Sequence, residues 1–226
     1  MDKRVIKSIL EKNYYLYKIG MFFISIYARR GLKITKPLWG GVKIKYYNVG
    51  KNNYFIADKG CFLENLYVKI IGSNNRVEIG KNVKIRKNCK FYIFGNNCSI
   101  KIGDNTTMTH HCQIEVQEES QHIFLGKDCM LSNHILIRNN DSHFIYNRTT
   151  GQRTNNPKNI NIGNHVWIGA WVTVLKGVDI EDGAVIGTHS IVTHNVPKNS
   201  IVTGIPAKIV KENIEWTVSA KKQIEK

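Results

Sequence analysis

The sequence predicts a mainly β protein wound as a parallel β-helix of hexapeptide repeats, with an N-terminal helical segment and a short C-terminal helical cap. Three observations carry this prediction. Aliphatic residues recur at every sixth position: Ile162, Ile168, Val174, Ile180, Ile186 and Val192. Four places after each comes a small or β-branched residue: Val166, Val172, Val178, Ala184, Ser190 and Val196. Between them fall Gly, Asn and Asp, which suit corners needing positive φ. Helices repeat near 3.6 residues and strands near 2, so a period of six belongs to neither. Stacked coils of very short strands produce it.

Residues 1–38 read as helical. Ile6, Ile9, Leu10, Tyr14, Leu16, Tyr17, Phe22, Phe23 and Ile26 crowd one broad face, with Lys and Arg opposite. Such a stripe packs on the rest of a protein, and a basic amphipathic helix also suits peripheral contact with a membrane. The most apolar stretch, residues 20–28, is nine residues long, about half of what a spanning helix needs. No apolar run followed by a small-residue cleavage site marks a signal peptide.

Residues 39–204 form the β-helix. The beat is ragged at first and clear at residues 79–89, 102–106 and 125–135. Two insertions are expected: a small excursion at residues 116–123 and an extended polar loop at 139–161, which carries Asp141, Ser142 and His143. Loops at solenoid corners usually carry function. Residues 205–226 cap the open end, helical in part, with Ile209, Val210, Ile214 and Trp216.

Composition narrows the partners. The 226 residues carry a formal charge of +16, which suits an acidic substrate, an anionic membrane face or cofactor phosphates. Nucleic acid is not expected, since no nucleic-acid-binding motif accompanies the charge. Five cysteines without a CxxC pair support neither a disulfide framework nor a zinc ribbon. Cys89, Cys98, Cys112 and Cys129 each stand four places after an apolar residue, as does Cys61 after Ala57. These are the small inward slots, where a free thiol acts as a compact hydrophobe. Reduced thiols point to the cytoplasm, at the inner face of the membrane if the N-terminal helix docks there.

Residues 162–170 (IGNHVWIGA), 174–178 (VLKGV) and 203–208 (TGIPAK) together resemble the left-handed β-helix acetyltransferases. The resemblance is strongest to the sugar O-acetyltransferases of the galactoside and maltose type and of capsule and O-antigen loci. It covers residues 75–216. It implies a left-handed coil, acetyl-CoA as donor, no metal, and a saccharide acceptor, either a polysaccharide or its precursor. It also implies a homotrimer with each active site between two chains.

In that family a loop histidine is the general base. His143 lies 24 residues before Trp167, the family spacing, in a DSHFI context like that of the capsule enzymes. A sugar hydroxyl is a poor nucleophile at neutral pH. A neutral imidazole that takes its proton contributes on the order of 10²–10⁴-fold. Asp141 is a candidate to orient the ring, with a turn-forming role equally open. Trp167 is implied beside the CoA arm and the acceptor. The pantetheine track maps onto Ala170 and Thr188, 18 residues apart, then Thr193 and His194. The phosphates map onto Lys208 and Lys211, since lysine suits phosphate as a point charge. Trp171, Thr188 with His189, and His194 replace a small residue, Ala-Gly and a basic residue of the family pattern, so the CoA track is expected to be reshaped.

Other readings stay open. An N-acetyltransferase of an amino nucleotide sugar usually has an N-terminal nucleotide-binding unit, whose Gly-rich loop residues 1–40 do not contain. A xenobiotic acetyltransferase carries its loop histidine in a similar place. A non-catalytic scaffold would need only the coil. A zinc protein like the γ-class carbonic anhydrases would use the HxxxxH pair His189 and His194 with a third ligand such as His165. The GIPAK end and the His143 loop weigh against zinc.

Overall fold

The computed structural model describes residues 44–219 in full and the backbone of Leu32–Thr35. Three parallel sheets form the faces of one coil, and the chain visits them in turn. Sheet 1 runs from Leu32–Thr35 through Asn53–Ala57, Arg76–Ile79, Ser99–Ile102, His122–Leu125 and Ile160–Ile162 to Asp179–Ile180. Sheet 2 runs from Phe62–Leu63 through Lys84–Ile85, Thr107–Met108, Met130–Leu131, Trp167–Ile168 and Val185–Ile186 to Ile201–Gly204, where Ala207–Lys211 adds antiparallel. Sheet 3 runs from Ile44–Val49 through Leu66–Ile71, Lys90–Phe94, Gln113–Gln117, Leu136–Arg138 and Thr173–Val174 to Ile191–Val192.

The core is the six-residue beat turned inward. Every aliphatic and small residue of the series from Ile162 to Val196 is buried. Stacking each coil on the next is what removes these side chains from water. All five cysteines are free and buried. Their thiols donate to backbone carbonyls of the next coil, as Cys129 Sγ does to Gly163 O (3.1 Å) and Cys98 Sγ to Glu118 O (2.7 Å).

Coils of two widths coexist. Toward the C-terminus one coil is 18 residues: Trp167 pairs with Val185 and Thr173 with Ile191. Toward the N-terminus it is 23: Lys90 pairs with Gln113, and Gln113 with Leu136. The wider coils put their extra residues into sheets 3 and 1: sheet 3 strands are six residues long at Leu66–Ile71 and five at Lys90–Phe94, against two at Thr173–Val174, and sheet 1 strands are four at Ser99–Ile102 and His122–Leu125, against two at Asp179–Ile180. That is why the sequence beat looks ragged early on. The excursion expected at 116–123 is no insertion. It is the end of one long strand, a turn and the start of the next, in register with the preceding coil at Gln117–Phe94 and His122–Ser99. The real insertion lies between Leu136 and its partner Thr173, 37 residues on.

At the corner between sheets 1 and 2, positive φ falls on Asn82, Asn105, Asp128 and His165, with φ of 56°, 58°, 57° and 53°. The glycine two places earlier serves a different need. A Cβ on Gly103 would stand 2.5 Å from the Gly126 carbonyl of the next coil. The corner amides then link coils, Asn82 Nδ2 to Asn105 Oδ1 at 3.2 Å and Asn105 Nδ2 to Asp128 Oδ1 at 2.9 Å.

Neither expected helix is found among the described residues. Most of residues 1–38, and with them any membrane-facing helix, lie outside those residues. Within that span Leu32–Thr35 is a strand, paired in parallel with residues 53–56. The C-terminal cap is a strand followed by irregular chain. Gly204 (φ 106°) and the Ile205-Pro206 turn reverse the direction, and the β-branched Ile209 and Val210 favour strand pairing over helix.

Candidate active site

The long insertion leaves sheet 3 where it turns toward sheet 1. Its base is seated on the wide coil beneath. Gln117 N donates to Asn139 Oδ1 (2.7 Å), and Asn139 Nδ2 returns a bond to Gln117 O (3.1 Å). Glu118, at the turn of that coil, takes a bidentate pair of bonds from Arg153 at 2.6 and 2.7 Å and one from Asn140 Nδ2 at 3.1 Å. The Arg153 guanidinium holds the Glu118 carboxyl below the usual carboxylate range. Its other face lies over the Phe144 ring at 4.6 Å. The outer half of the loop is a small hairpin, with Thr154 N bonded to Ile145 O and Asn147 N to Gln152 O, both at 2.8 Å.

Asn155, buried at 6% exposure, organises the segment around His143. Its Nδ2 donates to Asp141 Oδ2 (2.9 Å) and to His143 O (2.7 Å), and its Oδ1 accepts from Ile145 N (2.8 Å). Asp141 also pairs with Lys176 of the next coil, and that ammonium keeps its carboxyl below the ordinary aspartate range. Among the described residues no hydrogen bond joins Asp141 to the His143 ring. The backbone that follows His143 and the Asp141 side chain that precedes it are therefore pinned while the imidazole is exposed. Phe144, Ile145 and Tyr146, which follow it, are each more than half exposed.

The remaining predicted residues lie elsewhere on the coil. Trp167 stands on the outer face of sheet 2, 38% exposed, with Trp216 at its side (ring centroids 5.9 Å). Ala170 and Thr188 sit at the corner between sheets 2 and 3, one coil apart. The Ala170 carbonyl accepts from Thr188 Oγ1 (2.7 Å) and from His189 N (2.9 Å). Thr193 Oγ1 and His194 Nδ1 are 2.8 Å apart on the exposed turn after sheet 3. Lys208 and Lys211 are exposed on the C-terminal strand, with no carboxylate partner among the described residues. His143 with Asp141, and Trp167 with Ala170 and Thr188, thus form two groups on different sides of one chain.

Trp171 completes a ladder at the Ala170 corner. The rings of His111, His134, Trp171 and His189 stack in that order, with successive centroids 4.6, 3.9 and 5.8 Å apart and planes within 9° or 10° of parallel. All four take positive φ, Trp171 at 62°, a conformation that costs a bulky L-residue roughly 1–2 kcal/mol. Stacking on both faces holds it there. His165, His189 and His194, the ligands of the zinc reading, lie at three different corners of the coil, and no cluster of metal-ligating residues occurs among the described residues. A shallow cavity of about 400 Å³ lined by Asp58, Lys101, Asp104 and Phe124 holds none of the predicted site residues.

Sequence reasoning did not find Asn155, Glu118, Arg153, Lys176 or Trp216. The partners of Glu118 and Lys176 lie 35 residues away, and nothing local marks the pairing.

Comparison with known proteins agrees with the β-helix fold. The family described as bacterial transferase hexapeptide (six repeats) matches residues 159–194. The crystal structure of the polysialic acid O-acetyltransferase OatWY is similar at a TM-score of 0.79 and 33% identity, covering 85% of this chain and 90% of that one. The polySia-specific acetyltransferase NeuO is similar at a TM-score of 0.69 and 32% identity, covering 85% of each chain. The galactoside O-acetyltransferase of Escherichia coli strain K12 is 47% identical over 53 residues, 24% of this chain and 26% of that protein. The matched stretch thus spans about a quarter of such curated relatives.

Proposed function

The chain belongs to the hexapeptide-repeat acetyltransferase family, and from that premise we propose that it transfers an acetyl group from acetyl-CoA to a hydroxyl of a saccharide. The observation that carries the reading is the histidine loop. Asn155 bonds the His143 carbonyl, the Ile145 N–H beyond it and the Asp141 side chain before it, and the imidazole is open to an incoming hydroxyl. A base held this way loses little entropy when it meets the acceptor.

His143 takes the proton of the acceptor hydroxyl onto its open ring nitrogen as that oxygen bonds the acetyl carbon, and returns it to the thiolate released as the thioester C–S bond breaks. Asp141 supports it through Asn155, which bonds both the Asp141 carboxylate and the His143 carbonyl. Acetyl-CoA supplies the acyl group as a thioester. The residues that would hold it are Trp167, Ala170, Thr188, Thr193, His194, Lys208 and Lys211. They suit it chemically: two unpaired ammonium groups for phosphates, and exposed hydroxyls for the amide-bearing arm. Because the Ala170 carbonyl already accepts two bonds, the Thr188 hydroxyl is the better contact there.

The separation of His143 from Trp167 supports a left-handed homotrimer in which the loop of one chain reaches Trp167 of the next. The acceptor we propose is an acidic polysaccharide of capsule or O-antigen type, or its precursor. NeuO and OatWY are named for polysialic acid, and the charge of +16 favours a polyanion. A cytoplasmic location with peripheral membrane contact through the N-terminal segment, residues 1–38 in the sequence reading, belongs to the same proposal. The decisive test is acetyl-CoA turnover with acidic capsule oligosaccharides, read as the mass gain of one acetyl group. His143→Ala should lower the rate by about 10²–10⁴-fold with an unchanged circular dichroism spectrum. Equal rates in mutant and wild type would sink the general-base role.

A further inference from the structure

We infer that Trp216, carried on the segment that follows the last strand, is a positioning residue that fixes Trp167 in the site; this rests on the acetyl-CoA reading above. The corner between sheets 1 and 2 is a ladder of Asn82, Asn105, Asp128 and His165, one residue per coil. One coil further on the place is taken by Gly183 (φ 71°), which has no side chain. The indole of Trp216 supplies the missing rung. It lies flat on the His165 ring, centroids 4.0 Å apart and planes within 3°. Trp216 Nε1 donates to His165 O (2.9 Å), and His165 Nε2 donates back to Trp216 O (3.0 Å). Because a carbonyl oxygen only accepts, the second bond places a proton on Nε2 of the imidazole. Ile214 N on Asn199 O (2.9 Å) ties the same segment to the next corner.

The consequence is felt at Trp167. It follows His165 by two residues, points outward, and has one flank covered by Trp216 at 5.9 Å and 46°. Trp216 itself is 8% exposed, Trp167 38%. The indole of Trp167 is thus backed on one side and presented to solvent on the other. Met130 and Val185 flank Trp167 along the sheet, and Trp216 is the aromatic ring beside it. A segment outside the repeat therefore adds to the wall that the repeat builds.

Three full-length variants test this. Trp216→Ala removes the rung, Trp216→Phe keeps a ring but loses the N–H, and His165→Asn restores the amide that the other coils use while removing the stack. Each is measured for KM of acetyl-CoA, for kcat and for the Trp167 resonance in protein labelled with 5-fluorotryptophan. Trp216→Ala should shift and broaden the Trp167 resonance and raise KM by about tenfold, in line with the cost of small misplacements, with a smaller change in kcat. His165→Asn should move both readouts the same way, and Trp216→Phe should recover most of the loss. If Trp216→Ala leaves the Trp167 resonance in place, or moves it without changing KM, the positioning role is overturned. If every variant moves the resonance but the wild type does not turn over acetyl-CoA, the contact stands and it is the acetyltransferase reading that fails. Should Trp216→Ala not fold, the Trp216→Phe and His165→Asn pair decides: unchanged resonance and KM in both overturns the inference.

Discussion

The inward slots are the clearest residue-scale result. Each cysteine is buried and spends its thiol proton on a carbonyl of the next coil; Cys61, Cys89, Cys112 and Cys129 stand four places after the core residues Ala57, Ile85, Met108 and Leu125, whereas Phe94, four places before Cys98, faces outward in a longer strand. Burial pushes the Cys129 thiol up to about 11 and raises those of Cys61 and Cys98 as well. A thiol reacts as the thiolate; the Cys89 thiol, lowered by its hydrogen bond with Cys112, is fully buried like the others, so the folded protein should be inert toward a thiol-specific disulfide reagent at pH 8. Unfolding in guanidinium should release the five thiols together, because the coils share one core. A single fast-reacting cysteine in the native protein would show that its slot opens on its own. This pattern was legible because slot and core residue are local in sequence. Trp216 was not legible: its place is made by Gly183 and His165 of two different coils, and its own flanking residues say only that an aromatic is present.

At the scale of the element, the histidine loop is built by two segments that the sequence kept apart. His143, its loop and its distance from Trp167 could be read directly. The seat could not, because Glu118 belongs to a turn of the 23-residue coils and meets Arg153 only once those coils stack. The ragged beat that hid the wider coils also hid the seat. Two carboxylates hold the loop, Glu118 through Arg153 and Asp141 through Lys176 and Asn155, and both have folded pKa values depressed below their ordinary values. Their contribution is therefore fully present above about pH 4, the unfolded carboxylate range, and is lost as pH falls through the lower folded values. Amide protection factors, referred to the intrinsic rate at each pH, should accordingly fall in the loop at Ile145, Asn147 and Thr154 on acidification while those of Ile168 and Ile186 stay high. Glu118→Gln weakens the Arg153 fork at neutral pH and should lower kcat by roughly tenfold through misplacement of His143, with the coil's melting transition little changed. Loss of protection in loop and coil together would mean that the seat stabilises the whole fold rather than the loop.

Across the whole molecule, the stacked coils separate two functions that electrostatics treats differently. The coil is a rigid support whose stability is a sum over neighbouring coils. The charge of +16 rides on its surface and on its ends. A charge of that size raises the local concentration of a polyanion and speeds its encounter, and salt screens it over a Debye length of about 8 Å at physiological ionic strength. A chemical step at His143 is not so screened, since it depends on contact geometry. Raising salt from low to about twice physiological strength should therefore raise KM for an acidic oligosaccharide several-fold and leave kcat nearly constant. KM for a neutral oligosaccharide should hardly move. The comparison separates steering from recognition. If acidic and neutral acceptors respond alike to salt, the basic surface does not select the acceptor, and specificity lies instead with groups that touch the sugar around the His143 loop, among them the exposed Phe144, Ile145 and Tyr146.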